Sequence, residues 1–135
     1  MFDADKIKPQ IKDLAEKHGL SLVMLFGSQV TGKTHKESDF DIAFTADKYI
    51  SPRETAEILF DFTRDLKIGG DIELVNLKHA SPLLLKQVAM NSILLYEKEP
   101  HLYNLFKIYA LKRYMEERRF LKLRELSLNK FLQKI

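Results

Sequence analysis

The sequence predicts an α/β domain, one sheet covered by helices and continued by a helical tail. Three observations predict it. Short apolar or alternating runs at 20–26, 39–45, 71–77 and 93–96 read as strands. Stretches with apolar residues at helical spacing lie around them, two of them opened by Ser-Pro. From about His101 onward a helical pattern runs without any Pro or Gly.

Residues 3–18 place Ile7, Ile11, Leu14 and Ala15 on one helical face, and His18-Gly19 makes a stop. Leu20 to Phe26 is a short, mostly apolar run, the mark of a buried strand. Asp39 to Thr45 alternates, so Phe40, Ile42 and Phe44 share one face and Asp39, Asp41 and Ala43 the other. Ser51 is an N-cap, Pro52 fits the first turn, and Glu54 completes a capping box. The helix that follows carries Ala56, Leu59, Phe62 and Leu66 as its apolar stripe and ends at Gly69-Gly70. In the strand Asp71 to Leu77, Ile72, Leu74 and Asn76 face one way and Asp71, Glu73 and Val75 the other. Ser81-Pro82 opens a helix to about Met90, and Ile93 to Tyr96 is the last strand. Within the helical tail, a break is looked for at Ser127-Leu128-Asn129.

A chain of 135 residues has room for one domain with a proper core. It contains no cysteine, which excludes a disulfide framework and a thiolate metal site. No apolar stretch approaches a membrane span, and the start M-F-D-A-D-K lacks the basic head and apolar core of a signal peptide, so a cytoplasmic protein is expected. Charge is uneven: residues 107–135 carry nine Lys or Arg against three Glu, leaving the remainder slightly acidic. Taken alone, that basic tail reads as a solvated helix face before it reads as a surface for RNA or an acidic partner.

The most specific stretch is 27–41, G-S-Q-V-T-G-K-T-H-K-E-S-D-F-D. Gly27 directly after a buried strand allows a tight turn and close backbone approach to a ligand, and the Ser28 hydroxyl adds a donor for a phosphate oxygen. Asp39 and Asp41, two residues apart on a strand, project from the same face, roughly 6–7 Å apart at Cα. Carboxylates so placed can converge on a pair of Mg²⁺ ions roughly 3.5–4 Å apart, the spacing of two-metal nucleotidyl transfer. The bland alternative is a solvated strand face. A third carboxylate would come from Glu73, with Asp71 as the alternate. Gly32-Lys33-Thr34 lacks the upstream Gly of a phosphate-binding P-loop. Lys33, His35 and Lys36 are placed to touch a triphosphate but read first as solvated, and His18, His79 and His101 as structural or exposed.

Gly27-Ser28, ten residues and Asp39-Phe40-Asp41 resemble the signature of the DNA polymerase β-like nucleotidyltransferase superfamily. The small size, with I-E-L-V-N-L, a Pro-containing helix and I-L-L-Y, resembles its minimal nucleotidyltransferase branch (the MNT, or MntA-type, antitoxins) over about residues 5–98. The resemblance implies a small mixed sheet covered by helices, with a nucleotidyltransferase domain at 1–98 and a partner-docking helical extension at 99–135. It implies that Gly27 and Ser28 hold the triphosphate of ATP, that Asp39 and Asp41 bind two Mg²⁺ ions, and that Glu73 stands at the third acidic position, usually Asp. It implies an antitoxin that transfers AMP from ATP to a tyrosine of a HEPN ribonuclease toxin. Apolar Leu102, Leu105, Phe106 and Tyr109 are then candidates for docking, or else for core or a homo-oligomer interface; no membrane or nucleic-acid partner is expected. Two alternatives stand beside this: an antitoxin of weak or no activity that neutralises by binding, and a small-molecule nucleotidyltransferase, which the lack of a substrate domain disfavours. Two departures bear on activity. Glu73 is one methylene longer than Asp, and Gln29 follows Gly-Ser where Arg is common.

Overall fold

The computed structural model describes residues 3–27, 30 and 39–135. After a short 3-10 turn the chain forms α1 (Lys8–His18), β1 (Leu20–Phe26), β2 (Phe40–Ala46), α2 (Pro52–Leu66), β3 (Ile72–Asn76), α3 (Pro82–Met90), β4 (Ser92–Glu97) and α4 (Leu102–Gln133). The four strands make one mixed sheet in the order β3-β2-β1-β4. β1 pairs antiparallel with β2 and with β4, while β2 and β3 are parallel. Parallel neighbours need a crossover, and α2 is that crossover.

Strand alternation sends side chains to two separate cores. On one face Val23, Leu25, Ile42 and Phe44 pack against Ile11 and Leu14 of α1 and Ile58 and Phe62 of α2. On the other, Leu22, Met24 and Ala43 meet Leu85 and Val88 of α3 and Phe106 and Ala110 of α4. Phe44 and Phe62 are fully buried, each stabilising the fold by roughly 1.5–3 kcal/mol through the surface it removes from water. Phe40, Ile42 and Phe44 all face the first core, as the alternation predicts.

Local signals mostly act as read. Gly19 closes α1 in the left-handed region (φ 69°), with its N–H donating to the Ala15 carbonyl. Ser51 Oγ accepts from Glu54 N–H at 3.1 Å, and Ser81 Oγ from Leu84 N–H at 3.2 Å. The capping box is only half formed, because the Glu54 carboxylate turns toward Lys48 Nζ at 3.9 Å.

Three expectations need correction. The buried stripe of α2 is Ile58, Asp61, Phe62 and Leu66, while Ala56 is exposed. The helix stops at Leu66, where Lys67 takes a left-handed conformation (φ 48°), three residues before Gly70. Residues 127–129 do not break α4, which continues to Gln133; Ser and Asn lower helix propensity only slightly and introduce no clash. No helix among the described residues is long and apolar enough to cross a membrane.

Candidate active site

The end of β1 and the starts of β2, β3 and β4 meet at one end of the sheet, and their register makes a row. Phe26 pairs with Asp41, Asp41 with Glu73, and on the other side Phe26 pairs with Ser92. Residues directly opposite on adjacent strands point to the same face, about 5 Å apart. Asp41 and Glu73 therefore stand side by side on the face that carries α3 and α4.

Asp39 lies just before β2 and is exposed, as is Glu73, whereas Asp41 is half-buried. The carboxyl of Asp41 is raised from 3.8 to about 6. Burial contributes most, since it disfavours the charged form. A hydrogen bond with Glu73 and the negative charges of Glu73 and Asp39 add to it. Asp71 is not among the groups that raise the Asp41 carboxyl. It precedes β3, and its backbone carbonyl accepts from Phe40 N–H at 2.8 Å. Of the two candidates for a third carboxylate, register brings Glu73 beside Asp41.

Gly27 closes the row from the β1 side. Its φ of +81° is open to glycine and strained for other residues, and a Cβ there would overlap Asp41 Oδ2. Its carbonyl accepts from Val30 N–H at 3.1 Å, so the chain turns directly after the strand. Ser28, Gln29, Lys33, His35 and Lys36 lie outside the described residues.

Among the described residues no three His, Asp or Glu side chains close around a point tightly enough to hold a metal ion unaided. The donor set nevertheless suits Mg²⁺, which takes hard oxygen ligands and commonly completes its shell with water and substrate phosphates. Asp41 retains a proton to higher pH because burial, and then the negative charge beside it, disfavour its carboxylate, and a divalent cation would offset the charge.

Two polar clusters escaped the sequence reading. Ser92 Oγ lies 2.6 Å from Tyr103 Oη, and that hydroxyl also reaches the Ser92 carbonyl at 3.1 Å, tying the root of α4 to the row. Asp61, buried between α1 and α2, accepts from Lys17 Nζ at 2.9 Å and pairs with His18 Nε2 at 2.7 Å and Arg64 at 3.3 Å. Neither carries a sequence motif. His79 and His101 are exposed, and His18 serves the Asp61 cluster.

Residues 9–101 match the family described as polymerase beta, nucleotidyltransferase. The chain belongs to this family. Its members include relatives of similar size. The protein adenylyltransferase MntA of Aphanizomenon flos-aquae is 29% identical over 123 residues, spanning 85% of this chain and 82% of that one. A chain from the crystal structure of a toxin–antitoxin with AMP-PNP is 25% identical, with a TM-score of 0.71 over 93% of this chain and 98% of its own. A chain from the structure of a tri-AMPylated Shewanella oneidensis HEPN toxin with its MNT antitoxin shares the fold, with a TM-score of 0.69 at 22% identity over 96% of this chain and 99% of its own. The small mixed sheet of this nucleotidyltransferase, with helices on both faces, is thus the fold of that group.

Proposed function

We propose that this chain is the antitoxin of a toxin–antitoxin pair, a cytoplasmic, Mg²⁺-dependent adenylyltransferase that moves AMP from ATP to a tyrosine of a HEPN ribonuclease toxin. The observation that carries this reading is the Asp41–Glu73 pair set against Gly27, in a chain similar over most of its length to a protein adenylyltransferase.

Asp39, Asp41 and Glu73 would hold the Mg²⁺, with Asp71 as the alternate to Glu73. Bound there, the ions neutralise phosphate charge and make the attacking hydroxyl more acidic. The triphosphate would lie on the turn at Gly27 and Ser28, with the missing Gly27 Cβ leaving room for the Asp41 carboxylate beside it. Glu73 takes the tyrosine proton. The phenolic oxygen forms a bond to the α-phosphorus while the bond from that phosphorus to the bridging oxygen breaks, and pyrophosphate leaves with the electron pair. In-line displacement puts nucleophile and leaving group on opposite sides of the α-phosphorus.

The test is label transfer. With α-labelled ATP, Mg²⁺ and the HEPN protein of the adjacent reading frame, label should appear on a toxin tyrosine and vanish with Asp41→Asn. A stable complex that never becomes labelled would leave an antitoxin acting by occlusion alone.

A further inference from the structure

We propose that Lys107, held on the Tyr103 ring at the β4 end of the row, supplies positive charge to the outer phosphates of bound ATP, with Ser92 and Tyr103 as its positioning pair. This rests on the adenylyltransferase reading above and adds to it a source of phosphate charge.

The row continues past Phe26 to β4. Ser92 stands opposite Phe26, and residues so paired lie about 5 Å apart on the same face. The turn where the triphosphate would lie begins at Gly27, directly after Phe26. Ser92 therefore flanks the root of that turn from β4, as Asp41 flanks it from β2. The segment 26–30, Phe-Gly-Ser-Gln-Val, contains no charged residue. Its N–H groups and hydroxyl can orient a phosphate, but a cation must come from elsewhere to neutralise one. Mg²⁺ on the carboxylates is already partly offset by their own charge.

The root of α4 brings a cation to this place. Tyr103 reaches from the helix to β4, where its hydroxyl donates to the Ser92 carbonyl at 3.1 Å and lies 2.6 Å from Ser92 Oγ. Its backbone N–H donates to Glu97 Oε2 at 3.1 Å, so the residue is tied at both ends. The ring becomes a fixed platform. Lys107, one turn further along α4, holds its ammonium 4.3 Å from the ring centroid.

Lys107 is half-buried, and among the described residues it forms no ion pair. Glu97, the carboxylate at the root of the helix, is engaged by the Tyr103 N–H instead. An ammonium that meets only an aromatic face keeps its charge for an arriving anion. Lysine suits that role, being a compact point charge on a flexible stem. The plain alternative is a brace between neighbouring turns of α4, and the two differ in what they do to a ligand.

The experiment measures binding of two ligands to the full chain with Mg²⁺ and no acceptor protein. One is an ATP analogue with a methylene at the α,β bridge, which cannot be transferred; the other is AMP, which lacks the outer phosphates. Lys107→Met should weaken the triphosphate about 10-fold or more, the loss of one charge-assisted contact, and leave AMP within about twofold. Lys107→Arg should restore most of the affinity. Tyr103→Phe and Ser92→Ala should weaken the triphosphate by smaller factors and again spare AMP, because they loosen the platform and keep the charge. In label transfer to the HEPN protein, Lys107→Met should raise KM for ATP more than it lowers kcat. Triphosphate affinity unchanged in Lys107→Met overturns the proposal. So does a lowered melting temperature with both ligands weakened alike, which is the behaviour of a brace. A wild-type chain that binds the analogue yet never labels the toxin refutes the adenylyltransferase reading and leaves the phosphate contact standing. A wild-type chain that binds neither nucleotide overturns both.

Discussion

Gly27 abuts the Asp41 carboxylate so closely that a side chain on Gly27 would overlap Asp41 Oδ2 and lie 3.1 Å from its Cγ. One residue type thus serves both the turn and the acidic group beside it. Gly27→Ala meets two penalties, a left-handed backbone costing roughly 1–2 kcal/mol and displacement of Asp41. Label transfer should fall at least about 100-fold, as expected when a reacting group moves by about an ångström. The melting temperature should fall too. Full activity in Gly27→Ala would show that this contact has no bearing on the chemistry.

Asp41 makes the protein's stability depend on pH in an unusual direction for a carboxylate. Its folded value of about 6 lies above its ordinary 3.8, so between those values the folded state binds more protons than the unfolded one. Stability from this group is complete below about pH 4, declines as pH rises toward 6, and then levels off. Asp41→Asn removes the charge and should raise the melting temperature at pH 8 but not at pH 4. Since the side chain is only half-buried, solvent screening limits the gain to about 1 kcal/mol. Parallel melting curves for the two proteins at every pH would contradict this assignment.

The same negative charge predicts the response to metal. Mg²⁺ should raise the melting temperature of the wild-type chain at pH 8 and do so much less at pH 5, where Asp41 holds a proton that the ion must displace. Asp41→Asn should abolish the effect. Thermal shift titrations with and without chelator decide it, and a shift equal at both pH values would speak against metal at this carboxylate.

Asp61 should behave as a structural anchor. The Lys17 ammonium beside it, helped by His18 and Arg64, holds its carboxyl below the usual range against the opposing effect of burial. A lowered folded value means that its contribution is present above about pH 4 and is lost as pH falls through the folded value. Asp61→Ala removes the acceptor of Lys17 and His18, while Arg64 keeps Asp65, and should destabilise the protein by about 1–3 kcal/mol. Label transfer at a permissive temperature should persist. A large loss of activity with normal melting would instead tie this cluster to the reaction.

How far the sequence could be read follows from what kind of contact each feature needs. Gly27, Asp39 and Asp41 sit within one short segment, where turn chemistry and strand alternation are local. Glu73 was harder, because Asp71 shares its face; only the parallel register, with Asp41 opposite Glu73, separates them. The stripe of α2 was misphased because a buried Asp interrupts it. Asp61 counts as polar in any periodicity, although its partners on α1 make it core. Tyr103 gave no signal, since its partner Ser92 belongs to a different element with no motif around it. In α4 the apolar residues after Met115 were readable as helix but not as surface, which depends on where the domain stops touching them.

The parallel pairing of β2 with β3 has a consequence for the order of events during synthesis. Asp41 leaves the ribosome early, but its neighbour Glu73 follows only after all of α2, and the strand that carries it cannot pair until that crossover has been made. A half-made chain therefore has the turn and the first carboxylates but no assembled row. Control over the toxin would begin only with chains finished past β3, and a protease that cut within α2 would remove it in a single stroke.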